Sequence, residues 1–267
     1  ALPISNMATA ALIERGMLDE TGPQASSGGR RPETLLLSSE MGVLAAIDLG
    51  ASSVDVALIA PDMTVLAHHA ENIEIAEGPG VVLSRVKDIL RDLRKRCNIR
   101  AEKVIGIGIG VPGPVEFDSG LLVAPPIMPG WEGFSIREYL RDEYAAPVFI
   151  DNDVNVMAMG ELWRLHRKLP NFLVIKIGTG IGCGIVCNRM IYRGTNGSAG
   201  DVGHICVDPA GERCHCGNQG CVEIMAAGPA IARQGTEAAK AGKSPQLAQV
   251  LAANGVITPE EDRKSVV

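Results

Sequence analysis

The stretch GHICVDPAGERCHCGNQGCVE, residues 203–223, brings His204, Cys214, Cys216 and Cys221 together in one short segment. Structural zinc sites take four tetrahedral ligands drawn from thiolate and imidazole, and the glycines between the cysteines allow the tight folding that such a site needs. The spacing therefore predicts a structural Zn²⁺ site with His204 as the fourth ligand, or His215 in its place. A disulfide among the three cysteines and ordinary buried thiols are the alternative interpretations.

Length and composition indicate a globular protein of one or two domains. The chain has 267 residues, of which 46% are hydrophobic and 21% charged, so it can bury a substantial core. Four of its seven cysteines lie outside the zinc pattern, which does not suggest a secreted disulfide scaffold, and we expect a reducing cytoplasm. We expect no membrane partner, since no apolar run is long enough to span a bilayer. The net charge of -6 restricts any nucleic-acid contact to a local patch.

The first forty residues differ in character from the rest. A predicted helix runs from Ser5, its expected N-cap, towards Gly16 and is followed by an acidic turn, a flexible segment and an extended apolar strand. This order is similar to the recognition helix and wing of a winged helix-turn-helix whose first helices would be missing. We expect Arg30 and Arg31, at the tip of the wing, to meet DNA phosphates. A solvated linker with an incidental arginine pair is the alternative.

The hydrophobic pattern after residue 43 predicts an α/β body. VLAAIDLG, residues 43–50, reads as a buried strand that ends in Asp48 and Gly50, and two more strands follow it. An amphipathic helix over 79–96 and a strand over 104–111 predict a parallel βα arrangement. The turn resembles the Asp-x-Gly turn of the actin-like ATPase and sugar-kinase superfamily, in which backbone amides approach the nucleotide phosphates and the carboxylate faces a Mg²⁺ shell. An aspartate that caps its own turn is the structural alternative.

Two later segments carry further polar and glycine-rich motifs. Asp151, Asn152 and Asp153 come directly after a strand and before a helix, a place from which a carboxylate can reach a ligand hydroxyl. The loop that begins Gly178-Thr179-Gly180, within GTGIGCG at residues 178–184, can cradle a phosphate with its backbone amides. A glycine-rich turn without a ligand is the ordinary alternative for this loop.

Together these motifs resemble the ROK family, which groups sugar-responsive repressors with bacterial glucokinases and N-acetylhexosamine kinases. The motifs are Asp48-x-Gly50, VPGPV at 111–115, residues 151–153, the glycine loop, and GSAGDVGH at 197–204 followed by the cysteine segment. The resemblance implies a two-lobed α/β fold of the actin-like ATPase and sugar-kinase type, which is ribonuclease H-like, with a structural zinc knuckle. It places a winged-helix remnant at 1–40, an N-terminal lobe at 41–153 and a C-terminal lobe at 154–267.

The resemblance also implies roles for individual residues. Asp153 matches the catalytic base that would take the proton of a sugar 6-hydroxyl, and Asn152 matches a residue that binds a neighbouring hydroxyl. His204 would both hold zinc and contact the sugar, and Glu223 would contact the sugar from just beyond the last cysteine. Asp201 stands where the family usually has Glu, and the shorter side chain is expected to alter which sugar is held.

Departures from the kinase pattern decide the interpretation of function. The kinases usually read D-x-G-G-T-K at the first phosphate turn, whereas this chain continues after Gly50 with Ala51, Ser52 and Ser53. If the second glycine needs a positive φ, Ala51 would cost about 1 kcal/mol. ATP and Mg²⁺ are therefore expected only if the protein is a kinase, and the candidate nucleotide-binding residues are then Asp48, Gly50, Ser52, Gly178, Thr179 and Gly180.

We interpret the chain as a homodimeric transcriptional regulator. A hexose or N-acetylhexosamine in a cleft between its lobes would alter binding to a DNA operator. The first alternative is an ATP-dependent, glucokinase-like sugar kinase that uses Asp153 as general base, and the second is a zinc-stabilised sugar-binding domain with neither activity. The chain does not start with Met and stops before the last elements of the nucleotide-side lobe, so we expect it to be part of a longer protein.

Overall fold

The computed structural model describes residues 3–23, 33–165 and 168–258. The chain forms two compact units. The first consists of Ala1–Val111, Asp118–Leu122 and Met128–Asp151, and the second of Pro112–Phe117, Val123–Ile127 and Asn152–Val267. Across the described ranges, none of the helices has both the length and the apolar character needed to cross a membrane.

A helix and a β-ribbon form the N-terminal part of the first unit. Helix α1 (Pro3–Glu14) ends before Gly16, which has a φ of 66°. Strands β1 (Leu18–Pro23) and β2 (Glu33–Leu37) pair antiparallel, with Leu18 opposite Leu37. The predicted helix and apolar strand are present, but the helix begins at Pro3, so Ser5 lies inside it rather than before it, and the acidic stretch at 18–23 is a strand. Arg30 and Arg31 lie outside the described residues.

A five-stranded sheet forms the core of the first unit. Its strands are β3 (Val43–Leu49), β4 (Ser53–Ile59), β5 (Val65–Asn72), β6 (Val104–Val111) and β9 (Val148–Asn152), in the order β5-β4-β3-β6-β9. Strands β3, β4 and β5 form an antiparallel meander, whereas β3 and β6 are parallel. The short strands β7 (Val115–Glu116) and β8 (Leu121–Leu122) precede helix α3 (Ile136–Arg141) and β9. The predicted meander and parallel strand are confirmed.

Helix α2 (Pro79–Arg96) covers this sheet along one apolar face. The 3-and-4 spacing of its apolar residues gives six buried side chains, Val82, Leu83, Val86, Ile89, Leu90 and Leu93. Pro79 stands in the first turn, where a missing N–H costs nothing, and fixes the start of the helix. The predicted range of this helix is the observed one.

The second unit places a helix on a small antiparallel sheet. Helix α4 (Asp153–Arg164) follows β9 directly, and strands β10 (Phe172–Ile177), β11 (Ile181–Cys187) and β12 (Met190–Ile191) form the sheet in that order. Ala158 and Leu162 of α4 pack with Val186 against the inward side chains of β10. The helices α5 (Val222–Ala226), α6 (Gly228–Lys240) and α7 (Pro245–Asn254) complete the unit.

Candidate functional site

Four side chains of the second unit converge into one cluster. One potential ligand atom from each of His204, Cys214, Cys216 and Cys221 lies within 4.8 Å of the others. The Nδ1 atom of His204 is 3.7 Å from Cys214 Sγ, and Cys216 Sγ is 3.7 Å from Cys221 Sγ. All seven cysteines of the chain are free thiols, so no disulfide joins the three in this cluster. His215 is exposed and lies outside the cluster, which leaves His204 as the fourth member.

The dimensions and chemistry of this cluster fit Zn²⁺. A tetrahedral ion with metal–sulfur bonds of about 2.3 Å has sulfur–sulfur edges of about 3.8 Å, close to the separations found here. Burial raises the pKa of the Cys221 thiol to about 12, and its hydrogen bonds to Cys216 and Cys214 add to the shift. Burial also raises the pKa of Cys214. Three neighbouring thiolates need a cation to offset this cost, and Zn²⁺ bound by these four residues would supply it.

Two glycines let the backbone fold around the cluster. Gly217, which follows Cys216, has a φ of 94°, and Gly220, which precedes Cys221, has a φ of 60°. A Cβ atom on Gly220 would lie 1.6 Å from the carbonyl oxygen of Asp208, so no other residue fits there. The amide of Cys214 donates to Asn218 O at 2.7 Å and closes the turn. The cysteine spacing therefore works only with these glycines.

Two of the predicted sugar-binding carboxylates lie beside His204. Glu223, in the first turn of α5, has its Oε1 atom 4.0 Å from His204 Nδ1. Asp201 directly precedes the 3₁₀ turn that carries His204. Desolvation raises the pKa of Asp201, His204 opposes this shift, and the negative charge of Glu223 adds to it. The structure thus brings His204, Glu223 and Asp201 together into a mixed cluster of imidazole and carboxylates.

Glu223 also connects the cluster of His204 and the three cysteines to the glycine loop. Its Oε2 atom accepts a hydrogen bond of 3.0 Å from the amide of Ile181, and a Cβ on Gly180 would come within 2.7 Å of that oxygen. Further along the loop, a Cβ on Gly184 would lie 2.5 Å from the carbonyl oxygen of Val154 in α4. Gly184 is therefore needed for packing, independently of any phosphate, because its contact is with backbone, whereas the contact at Gly180 is with the end of a flexible side chain.

Asp153 and Asn152 stand at the start of α4, as predicted, and each has a defined structural partner. Asn152 is the N-cap, whose Oδ1 accepts from the amides of Val154 at 3.0 Å and Asn155 at 3.3 Å. Its Nδ2 donates to Gly113 O at 3.2 Å. Asp153 is buried, and its Oδ2 lies 2.5 Å from Nζ of Lys176 on β10.

Lys176 is the residue that sequence reasoning missed. The strand sequence FLVIKI alternates between half-buried and exposed positions, and Lys176 shares the half-buried phase with Phe172 and Val174. A lysine on the inward phase of an otherwise apolar strand signals a buried partner. That signal was available in the sequence, but the identity of the partner was not.

The residues predicted for the nucleotide are divided between the two units. In the first unit, Asp48 is exposed near the end of β3 and pairs in register with Asp55 of β4. In the second, the amide of Gly178 donates to Gly180 O at 2.9 Å and so closes a tight turn. Ala51 does not have a positive φ, so the strain expected from replacing a glycine there is absent. The condition attached to the expected backbone penalty, a positive φ at this position, is therefore not met.

Comparison with families of known proteins gives one clear match. The model of the ROK family matches residues 44–260. The xylose repressor of Caldicellulosiruptor bescii is 33% identical over 229 residues, which cover 85% of this chain and 57% of the repressor. The glucokinase of Halalkalibacterium halodurans is 34% identical over 217 residues, covering 80% and 66% of the two chains. The N-acetylglucosamine repressor of Escherichia coli O157:H7 is 31% identical over 225 residues, covering 84% and 55%.

Solved structures show the same likeness. A ROK family transcriptional regulator described as a homolog of the E. coli MLC protein superposes with a TM-score of 0.73 at 28% identity, covering 90% of this chain and 61% of the regulator. A ROK family glucokinase from Streptomyces griseus, solved with glucose and AMPPNP, gives a TM-score of 0.69 at 24% identity over 79% and 65% of the two chains, which shows a shared fold. The chain spans 57% of the length of the xylose repressor it matches.

Proposed function

Because the chain belongs to the ROK family and has its sugar-kinase-like α/β fold, we propose that it is the effector-binding part of a sugar-responsive transcriptional regulator. The observation that carries this proposal is the cluster of His204, Glu223 and Asp201 beside the three cysteines. Carboxylates and an imidazole held by a rigid loop suit the hydroxyl groups of a hexose or N-acetylhexosamine. The regulators among the relatives support the choice of class.

In this proposal Zn²⁺ has a structural role. It would be held by His204, Cys214, Cys216 and Cys221, and it would fix both the imidazole and the loop that leads to Glu223. Through Glu223 the same fixation extends to the glycine loop, whose Ile181 amide the carboxylate binds. Asp201, Asn152 and Asp153 complete the proposed set of sugar-binding residues. Sugar affinity is then expected to depend on metal content.

The N-terminal region is proposed to contribute to DNA binding. Helix α1 and the ribbon of β1 and β2 would belong to a winged helix-turn-helix within residues 1–40, and Arg30 and Arg31 would contact operator phosphates. A homodimer would present two such elements to two half-sites. Sugar binding in the domain formed by lobes 41–153 and 154–267 would shift the populations of states that bind the operator well or poorly.

A second candidate function is ATP-dependent phosphorylation of a sugar. The position of Asp153 at the start of α4 and the likeness to a glucokinase favour it. Asp153 would then be the general base. The candidate residues for the nucleotide and Mg²⁺ would be Asp48, Gly50, Ser52, Gly178, Thr179 and Gly180.

One set of assays separates the two functions. The purified protein is titrated with D-xylose, D-glucose and N-acetyl-D-glucosamine by calorimetry, and ADP release is measured with each sugar in the presence of ATP and Mg²⁺. Operator binding is then measured with and without the sugar that binds. We expect binding without turnover and a sugar-dependent change in DNA affinity. Sugar-dependent ADP release that disappears in Asp153→Ala would establish the kinase instead.

A further inference from the structure

Asp153, the candidate catalytic carboxylate, forms an ion pair with Lys176. Lys176 Nζ lies 2.5 Å from Asp153 Oδ2, and the side chains are 31% and 8% exposed. The other carboxylate oxygen, Oδ1, accepts a hydrogen bond of 2.9 Å from the amide of Val154. Both carboxylate oxygens of Asp153 therefore already accept a hydrogen bond from another group of the protein.

The half-buried position of Lys176 is explained by its ion pair with Asp153. Its strand neighbours on the same face, Phe172 and Val174, pack against the apolar side of α4, so Lys176 continues that face towards the start of the helix. The N-terminus of a helix favours negative charge and disfavours a cation, and a half-buried ammonium is costly unless it is paired. Gly182 stands opposite Lys176 in register, so no cross-strand side chain competes for the space. Asp153 supplies the compensating charge.

An aspartate held in this way suits recognition better than proton transfer. A general base must bind the proton that it removes, and the positive charge of the ammonium group on Oδ2 opposes the arrival of a second positive charge on the same carboxylate. A carboxylate oxygen has more than one acceptor site, so a sugar hydroxyl can still donate a hydrogen bond to it. Hydrogen bonds to an ionised acceptor are also stronger than neutral ones.

We propose that Lys176 is a positioning residue that holds Asp153 as a fixed, ionised acceptor for a sugar hydroxyl, so that the site recognises the sugar without removing its proton. This inference rests on the proposed function, because it takes Asp153 to contact the sugar. Lys176 would then be a specificity-determining residue outside the cluster of His204 and the three cysteines. Its ion pair would explain why a site that binds sugar without phosphorylating it contains Asp153.

The test is a double-mutant cycle read out as sugar affinity. Lys176→Met, Asp153→Asn and the double variant are titrated with D-xylose, D-glucose and N-acetyl-D-glucosamine, with Lys176→Arg as the conservative variant. Each single change is expected to weaken binding about tenfold, and the double variant is expected to be no weaker than either single one. Lys176→Arg is expected to stay within about threefold of the unchanged protein. Replacement of the exposed Lys168 by Met serves as the matched control and is expected to change nothing.

Each other outcome has a distinct meaning. Unchanged affinity in Lys176→Met, with binding present in the parent protein, overturns this inference alone. A further tenfold loss on adding Lys176→Met to Asp153→Asn shows that the lysine touches the ligand itself, which also overturns it. Sugar-dependent ADP release by the parent protein contradicts recognition without proton transfer.

A urea-unfolding cycle on the same variants keeps failure of this inference separate from failure of the proposed function. It reports the ion pair in the absence of any sugar. Coupled stabilities together with no binding of any of the three sugars would leave a purely structural ion pair and would overturn both proposals. If the losses in the free energy of unfolding of the two single variants add up in the double variant, the ion pair contributes nothing to stability, and the inference fails whether or not a sugar binds.

Discussion

Replacing Cys221 by serine is expected to remove Zn²⁺ from the second unit. The Cys221 side chain is fully buried, and its sulfur lies 3.7 Å from that of Cys216. Serine is similar in size but offers a hydroxyl, which is a poor ligand for Zn²⁺ compared with a thiolate. The three remaining ligands would leave an open coordination position in a buried loop, so the affinity for the metal should fall steeply.

The expected loss of stability follows from the length of the loop that the metal cross-link would close. The ion would link His204 to Cys221, a cross-link comparable to a disulfide around a loop of roughly 15 residues, which stabilises by about 3 kcal/mol. The change should be confined to the second unit, because all four cluster residues belong to it. Sugar binding should disappear while the sheet of the first unit remains folded, since His204 and Glu223 lose their fixed positions.

The assay combines metal content with unfolding. Zinc per chain is measured by mass spectrometry after dialysis, and the free energy of unfolding is measured in urea with and without a chelator. Cys206→Ser is the matched control, because Cys206 is exposed and lies outside the cluster. It should keep zinc and lose less than about 0.5 kcal/mol. If Cys221→Ser keeps one zinc per chain and unchanged sugar affinity, the metal is held differently and the reasoning fails.

Three further changes test the packing and the charges. Gly184→Ala should lower the free energy of unfolding by about 1–3 kcal/mol, because its Cβ would overlap α4, whereas Gly178→Ala, with open space around its Cβ, should change it little in the same urea titration. Asn152→Ala should cost about 1 kcal/mol through loss of the N-cap, measured in the same way, and unchanged stability would contradict the capping role. Arg85 and His69 lower the pKa of Glu71 from 4.5 to about 2, so the ionised carboxylate stabilises the fold above pH 4.5 and this contribution is lost as the pH falls towards 2. Glu71→Gln should therefore flatten the acid side of the stability profile by about 0.5–1 kcal/mol, and an unaltered profile would show that the pair contributes nothing.

The features predicted correctly from the sequence are those with strong local signals. The range of α2 follows from a proline start and six apolar positions at helical spacing, and both lie within the helix itself. The convergence of His204 and the three cysteines follows from the cysteine spacing together with the glycines of a tight turn, and the zinc itself stays a prediction. In each case the residues that determine the structure are close together in the sequence, so no knowledge of distant contacts was needed.

The features that were missed depend on distant contacts or on backbone angles. Lys176 and Asp153 are well separated in sequence, and only the packing of β10 on α4 brings them together. The role of Asn152 as N-cap was not predicted, because it depends on where α4 begins, and its role as a sugar ligand, which the resemblance implies, stays a prediction. The φ of Ala51 could not be inferred from comparison with a glycine-containing pattern, because a turn can reach the same place with ordinary angles.

The structural role of the glycine loop bears on the choice between regulator and kinase. In a kinase the loop amides must be available to phosphate oxygens, yet the amide of Ile181 is already taken by Glu223 and that of Gly178 by Gly180 O. The close contact at Gly184 with the backbone of α4 would require glycine even if no nucleotide ever bound. Packing against α4 and the hydrogen bond to Glu223 therefore explain part of the GTGIGCG pattern without a phosphate. These contacts serve a sugar-binding regulator as well as a kinase, so the motif itself does not favour phosphoryl transfer.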